Sequence, residues 1–356
     1  MEREPISPVF VDWITLVERH PQGGLPIICR GLHSWSDSQG VCLSERIVAS
    51  HLGGSSGTTV LVGCDGFSTY LSGNVGRFNR SDNLFNLGWD ATLEKCNRMV
   101  AALGLPPFGT TPGLSDARAW AESAFVGPGP AARRSRGARV LRVDLTRNFS
   151  SGSDAQARAL VRWAQGLEHA RHRPGKAGHW GAWWANTSRM IKIYLKGQEL
   201  LDHVRPSDSE ESKRHAAEMA NWCLDQGLVR VEVELKRREL QRLGLSELGD
   251  VTDERLAAAF EEETAFLRKV DRSDEPDILM SIPSRSRVHA AAWMRGQDLR
   301  QLLSNGTFYR HARVLKQYGI DITQRRDIVN FPVKVRVVNL SPLSPPSWYE
   351  WEEKAA

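Results

Sequence analysis

VLRVDLT (residues 140–146), MIKIYLK (190–196) and LVRVEVELK (228–236) decide the fold. Each run is short, rich in β-branched residues and alternating, which is the pattern of a strand with one buried and one polar side. Successive strand residues point to opposite faces. Leu141, Val143 and Leu145 therefore oppose Arg142, Asp144 and Thr146. In the second run Ile191, Ile193 and Leu195 oppose Lys192, Tyr194 and Lys196; in the third Val229, Val231, Val233 and Leu235 oppose Arg230, Glu232, Glu234 and Lys236.

Helical signals separate the runs. Ser153 with Gln156 forms a capping box ahead of the stripe Leu160, Trp163, Ala164 and Leu167, and Ser207 with Glu210 predicts a second helix ending near 225. Residues 139–246 thus read as β-α-β-α-β. Upstream, 1–126 is a β-rich region with two helices; one carries Leu93, Cys96, Val100 and Leu103 and stops at Gly104, the other lies near 115–125. Residues 127–138 are a basic Pro/Gly linker, 247–277 an acidic, solvated helix, and 278–356 a small α+β module with a helix near 308–318 and the strand FPVKVRVVNL. The fold class expected is α+β, a central, largely antiparallel sheet with helices on one face plus a small C-terminal α+β module.

Composition narrows the classes of function. The chain has 356 residues, 47 Lys plus Arg against 42 Asp plus Glu, and 41% hydrophobic residues, and no run is apolar enough for a membrane helix. Five cysteines without CxxC spacing indicate reduced cytosolic thiols. The positive charge is concentrated: residues 131–176 hold 11 Lys or Arg and 3 Asp or Glu, the footprint of a polyanion-binding surface or of a solvated basic face.

If the three strands share a sheet, its polar side gathers carboxylates, a tyrosine and several cations. Hard divalent cations take carboxylate oxygens, neighbouring Lys or Arg offset charge on a phosphodiester, and a phenolate is a competent nucleophile. The alternative is a wet sheet face whose charges pair across strands.

NTSRMIKIYLKGQELLDH (186–203) and GLVRVEVELKRRELQRLGL (227–245) resemble the paired signature of the replication initiators of filamentous bacteriophages, the gene-two family of rolling-circle nicking proteins. LSERIVASHLGG (43–54), SGNVGRFNRSDNLFNLG (72–88), RVDLT (142–146) and PPSWYEW (345–351) follow the family's order. The resemblance implies a metal-dependent, site-specific DNA nickase and strand transferase. Tyr194 would be the nucleophile, assisted by Lys196; Asp144, Glu199 and Glu232 would hold Mg2+ or Mn2+, with Glu234 as a competing ligand. It also implies a 5′-phosphotyrosine intermediate, a free 3′-hydroxyl primer and later rejoining of the displaced strand.

Arg142, Arg189, Arg230 and Lys192 are the cations expected at the DNA, and Trp183 and Trp184, with Trp180, suit stacking on unpaired bases or packing in the core. No His-hydrophobic-His triplet is present, so His51 and the irregular cluster His169, His172 and His179 are secondary metal candidates. GGSSGTT (53–59) lacks the lysine of a phosphate loop and reads as a turn. Expected partners are double-stranded origin DNA, displaced single-stranded DNA, and a host helicase, polymerase and single-strand binding protein, in the cytoplasm of a bacterial host. Two other readings are a non-enzymatic DNA-binding regulator of phage replication and a plasmid-type rolling-circle initiator.

Overall fold

The structure is a computed structural model describing residues 9–110, 137–167, 173–177, 180–206, 209–268, 282–294, 297–316, 320–323 and 340–349. Among the described residues its frame is an antiparallel sheet of eleven strands. Along the sheet run β2 (Ile27–Ile28), β6 (Thr59–Asp65), β7 (Ser68–Gly73), β1 (Phe10–Arg19), β8 (Arg139–Ser150), β12 (Leu228–Lys236), β11 (Arg189–Leu195), β10 (Gly181–Ala185) and β9 (Arg173–Ala177). Off this path β5 (Ser50–Gly53) pairs with β6, and β13 (Ser341–Pro342) with the end of β8. A separate hairpin, β3 (Gly31–Ser36) with β4 (Cys42–Val48), carries mostly exposed side chains.

The three deciding runs are neighbours at the centre, in the order β8-β12-β11. Their apolar residues, including Val143, Leu145, Ile191, Ile193, Val231 and Val233, form the main core with α1 (Trp89–Ala101), α2 (Asp154–Ala164), α5 (Arg237–Leu243) and α6 (Asp253–Arg268). Ser153 caps α2 as its capping box predicts, its side chain accepting from the Gln156 amide. The later cap is corrected: α4 (Glu210–Asp225) starts from Ser209, whose hydroxyl accepts from the Ser212 amide. The acidic helix also departs from expectation. In α6, Leu256, Ala259 and Phe260 are buried in the core, so only part of its surface is solvated.

Helices are not confined to one face. Phe10 and Leu228 share the polar side with Thr146 and Arg230, and they meet Leu84, Phe85, Met219 and Cys223 of α4, and Tyr349 in a satellite cluster. Apolar residues on the wrong parity at the sheet's end need a cover of their own. The strands β9 and β10 were missing from the β-α-β-α-β reading; their short runs GAWWA and RPGKA lack its length and alternation.

Downstream, α7 (Ser284–Met294), α8 (Leu299–Leu302) and α9 (Asn305–Lys316) enclose a second core of Ile282, Ala290, Trp293, Leu299, Phe308, Ala312, Leu315, Ile320 and Ile322. The helix near 115–125, most of the 127–138 linker, the strand FPVKVRVVNL but for its last residue, and His169, His172 and His179 lie outside the described residues. Among the described residues no helix is long and apolar enough to cross a membrane.

Candidate nicking site on the polar sheet face

Register places the polar residues in rows across β11, β12 and β8. Tyr194 is opposite Arg230, which is opposite Asn148; Lys192 is opposite Glu232, then Thr146; Glu234 is opposite Asp144. Two bulges refine the predicted parity. Leu141 is the extra residue between the pairs Thr15–Arg142 and Leu16–Val140, so Val140 rather than Leu141 joins Val143 and Leu145 in the core. The second bulge falls at Asp12, between Val11 and Trp13 on β1. Bulges re-aim a side chain, and this one turns a carboxylate into the polar row.

Tyr194 is the centre of the arrangement. Its hydroxyl donates to Glu232 Oε1 at 2.5 Å, and its ring meets Trp180 edge-on at 6.1 Å. Burial, then the Glu232 charge, pushes the phenol well above its ordinary pKa. Burial also works against ionisation of Glu232, yet Lys192, 3.1 Å away, and Arg230 outweigh it and lower its pKa. The pair is therefore a neutral phenol donating to an ionised carboxylate. In such a pair the carboxylate is placed to take the phenolic proton.

Lys196 does not continue the strand face. The strand ends at Leu195, and Lys196 opens the one-turn-plus helix α3 (Lys196–Asp202). The helical turn brings Glu199, at i+3, to 2.6 Å from Lys196 Nζ, which also donates to Asn83 Oδ1 at 2.9 Å. Burial and the nearby Arg230 lower the Lys196 pKa; Lys196 in turn holds Glu199 low against its own burial.

The three nominated ligands are thus each engaged by a cation. Asp144 accepts two bonds from Arg142, at 2.8 and 2.7 Å, Glu232 is bound by Lys192 and Glu199 by Lys196. Among the described residues no group of three or more His, Cys, Asp or Glu is gathered as a ready metal site. Glu234 stands closer to Asp144 than sequence reasoning ranked it: the two are cross-strand partners, both held by Arg142. Burial, with Glu234 adding to it, pushes Asp144 up to about 6 despite Arg142. Glu199, by contrast, belongs to the Lys196 pair. His51 is exposed on β5, four strands from β8 and so roughly 19 Å from it along the sheet. It is too far to share a ligand set with Asp144.

Among the expected DNA contacts the burial divides sharply. Arg142 and Lys192 keep about a third of their side chains exposed, at 33% and 35%, and Trp183 is half-buried beside Lys192. Arg230 is corrected: it is 0% exposed, its donors spent on Asn148 Oδ1, Asp12 and the carbonyls of Asn83 and Leu84. Arg189 likewise bridges Glu239 and Glu263. Trp184 faces the core against Phe266 and donates to the Leu167 carbonyl. A side chain consumed by internal partners has no surface to offer a phosphate or a base.

Sequence reasoning missed Asp12 and the loop that roofs the site. Asp12 accepts from Asn86 at 2.8 Å and Thr146 at 3.1 Å, and burial raises its pKa against the pull of Arg230. The signal was available, since it is the one charge inside VFVDWITLV. The roof is residues 75–88, where Asn83 and Leu84 meet Lys196, Arg230 and Asn148, and Gly76 is crossed so closely by Asn86 that a Cβ would lie 1.7 Å from its Oδ1. From the far end of the chain, Tyr349 donates to Asp82 Oδ1 at 2.5 Å and accepts from Arg80 at 2.8 Å. Segments 72–88, 142–146, 186–203, 227–245 and 345–349 therefore converge on one face.

With residues 43–54, which lie on β4 and β5 and not at this face, those are the segments quoted above for their resemblance to the phage initiators. Residues 131–254 match the family profile described as the N-terminal part of the gene-two replication-associated protein, and residues 276–354 the one described as its C-terminal part. Together these cover more than half of the chain. The chain belongs to this family of phage replication-associated proteins. It is 25% identical over 318 residues to the replication-associated protein of the same family from Escherichia phage If1, covering 78% of this chain and 93% of that protein. It is also 25% identical over 220 residues to the replication-associated protein of Enterobacteria phage I2-2, covering 59% of this chain and 62% of that one. This is thus a phage replication protein, and the α+β fold with its large antiparallel sheet is as expected.

Proposed function

We propose that the protein initiates rolling-circle replication by nicking one strand of double-stranded origin DNA through Tyr194. The observation that carries this reading is the hydrogen bond from the Tyr194 hydroxyl to the ionised Glu232, set among Lys192, Lys196 and Arg230. The Tyr194 oxygen attacks the phosphorus, the phenolic proton passes to Glu232, the bond from phosphorus to O3′ breaks, and the leaving 3′-oxygen takes up a proton from water while Glu232 returns its own to solvent. A 5′-phosphotyrosine and a 3′-hydroxyl result, the latter a primer for host polymerase; rejoining of the displaced strand reverses the step.

The half-exposed side of the site, Lys192 and Arg142 with Trp183 beside them, is where a phosphate approaches, because the 75–88 roof covers the other. Lys192 and Arg142 neutralise the phosphate charge, and their release from Glu232 and from Asp144 with Glu234 frees oxygen ligands. Mg2+ or Mn2+ belongs to the reading on those three acids, and when bound would polarise the phosphodiester. Host helicase and single-strand binding protein are the partners implied.

Supercoiled origin DNA with Mg2+ or Mn2+ is the test. Wild type is expected to yield nicked circles and a covalent adduct, both lost in Tyr194→Phe and after chelation of the metal. An adduct that persists in Tyr194→Phe removes the nucleophile assignment. A wild type that binds origin DNA without scission favours the non-enzymatic regulator.

A further inference from the structure

The second core supports a surface that the nicking chemistry does not use. Helix α9 (Asn305–Lys316) buries Phe308, His311, Ala312 and Leu315 and exposes Tyr309, Arg310, Arg313 and Lys316. The exposed four recur at helical spacing and form a stripe opposite the apolar one. Arg300 of the preceding short helix, itself exposed, extends the stripe: its guanidinium lies 4.6 Å from the Phe308 ring centre and 5.9 Å from that of Tyr309.

The stripe is not neutralised from within. Lys316 is 3.9 Å from Asp321, while among the described residues Arg310 and Arg313 take part in no ion pair. The sequence from 282 to 323 holds seven Lys or Arg and two Asp. One of those acids, Asp298, is occupied as a helix cap, accepting from the Arg300 amide. Elsewhere the chain balances its basic residues: Arg189, Arg142, Lys192 and Lys196 each hold a carboxylate. Four cations on one ridge repel each other unless an anion of matching length lies along them.

We infer that this ridge of α9 is a second DNA-binding surface, which takes the phosphate backbone of duplex DNA. A helix fits the major groove, about 12 Å wide, and Arg310 to Lys316 spans roughly 9 Å along the axis. Arginines and a lysine reach phosphates on either wall, and the exposed Tyr309 ring adds an amphipathic contact. The inference rests on the reading of the protein as a DNA-binding initiator, but not on Tyr194 as its nucleophile. Its value to that reading is physical: a second, sequence-independent grip on the phosphate backbone adds affinity for the duplex without contributing to the chemistry.

The test uses the full chain carrying Tyr194→Phe, so that DNA stays intact. Binding to a short duplex of mixed sequence is titrated against salt, with and without Arg310→Ala, Arg313→Ala and Lys316→Ala together. These side chains are exposed, so the fold is retained, as circular dichroism checks. Affinity is expected to fall at least about tenfold near 0.1 M salt, and the slope of log affinity against log salt by about 2 to 3, since each lost phosphate contact removes about 0.9. Arg313→Glu alone should weaken binding in the same direction. An unchanged slope overturns the inference. A loss seen with single-stranded but not duplex DNA overturns it too. Cleavage of a single-stranded origin oligonucleotide by the triple variant with Tyr194 intact should match wild type, which separates failure of the grip from failure of the chemistry.

Discussion

At the residue scale the chemistry depends on which carboxylates are ionised, and Asp82 is the clearest case. Burial alone would raise it, but bonds from His215, Tyr349 and the Leu84 amide outweigh burial and hold it well below the ordinary range. A group whose folded pKa is depressed contributes stability that is complete above its unfolded pKa of about 3.9 and is lost as pH falls below it. Asp82→Asn should therefore cost about 2 kcal/mol near neutral pH, the usual size for hydrogen bonds to a buried charge. The gap in melting temperature from wild type should shrink below about pH 4. A constant gap from pH 3 to 8 would show that the charge of Asp82 is immaterial. Legibility in the sequence was uneven at this scale. Tyr194, Glu232 and Asp144 lie on one face because alternation is fixed by the strand itself. The roles of Arg230 and Trp184 escaped, because alternation tells the face and not whether another segment lies on it.

At the element scale, capping and turns were readable where one residue sets the geometry, as at Ser153 before α2. The turn from α4 into β12 works the same way. Gly227 has φ +56°, and a Cβ there would meet the Ser153 backbone at 2.4–2.5 Å. Gly227→Ala thus faces both a left-handed backbone penalty and a clash with main chain that cannot rotate away. It should destabilise by roughly 3 kcal/mol or more, seen as a lowered denaturant midpoint, because β12 carries Arg230 and Glu232. A variant of wild-type midpoint would mean that the two turns separate freely. The bulges at Asp12 and Leu141 could not be read in advance, since a bulge is a mismatch between two strands and either strand alone looks regular.

At the scale of the whole molecule, the two larger of the three apolar clusters among the described residues pack separately. The main core lies under the central sheet, and the second joins α7, α8 and α9. Phe308→Ala deletes a fully buried ring from the smaller one and should cost it about 3–5 kcal/mol. Thermal unfolding is then expected in two steps, with early proteolysis within 282–323, while Tyr194 chemistry on a single-stranded oligonucleotide persists. A single shifted transition would mean that the cores unfold as one. By itself the sequence determined the three central strands, the face of most of their residues, most helices and the residue types gathered on the polar face, because these follow from local periodicity. Only the tertiary structure decided that Asp12 joins the site, that residues 75–88 and Tyr349 roof it, and that each acid is paired with a cation. Those facts depend on contacts between segments up to 269 residues apart, and no local pattern encodes which distant segment will close over a face.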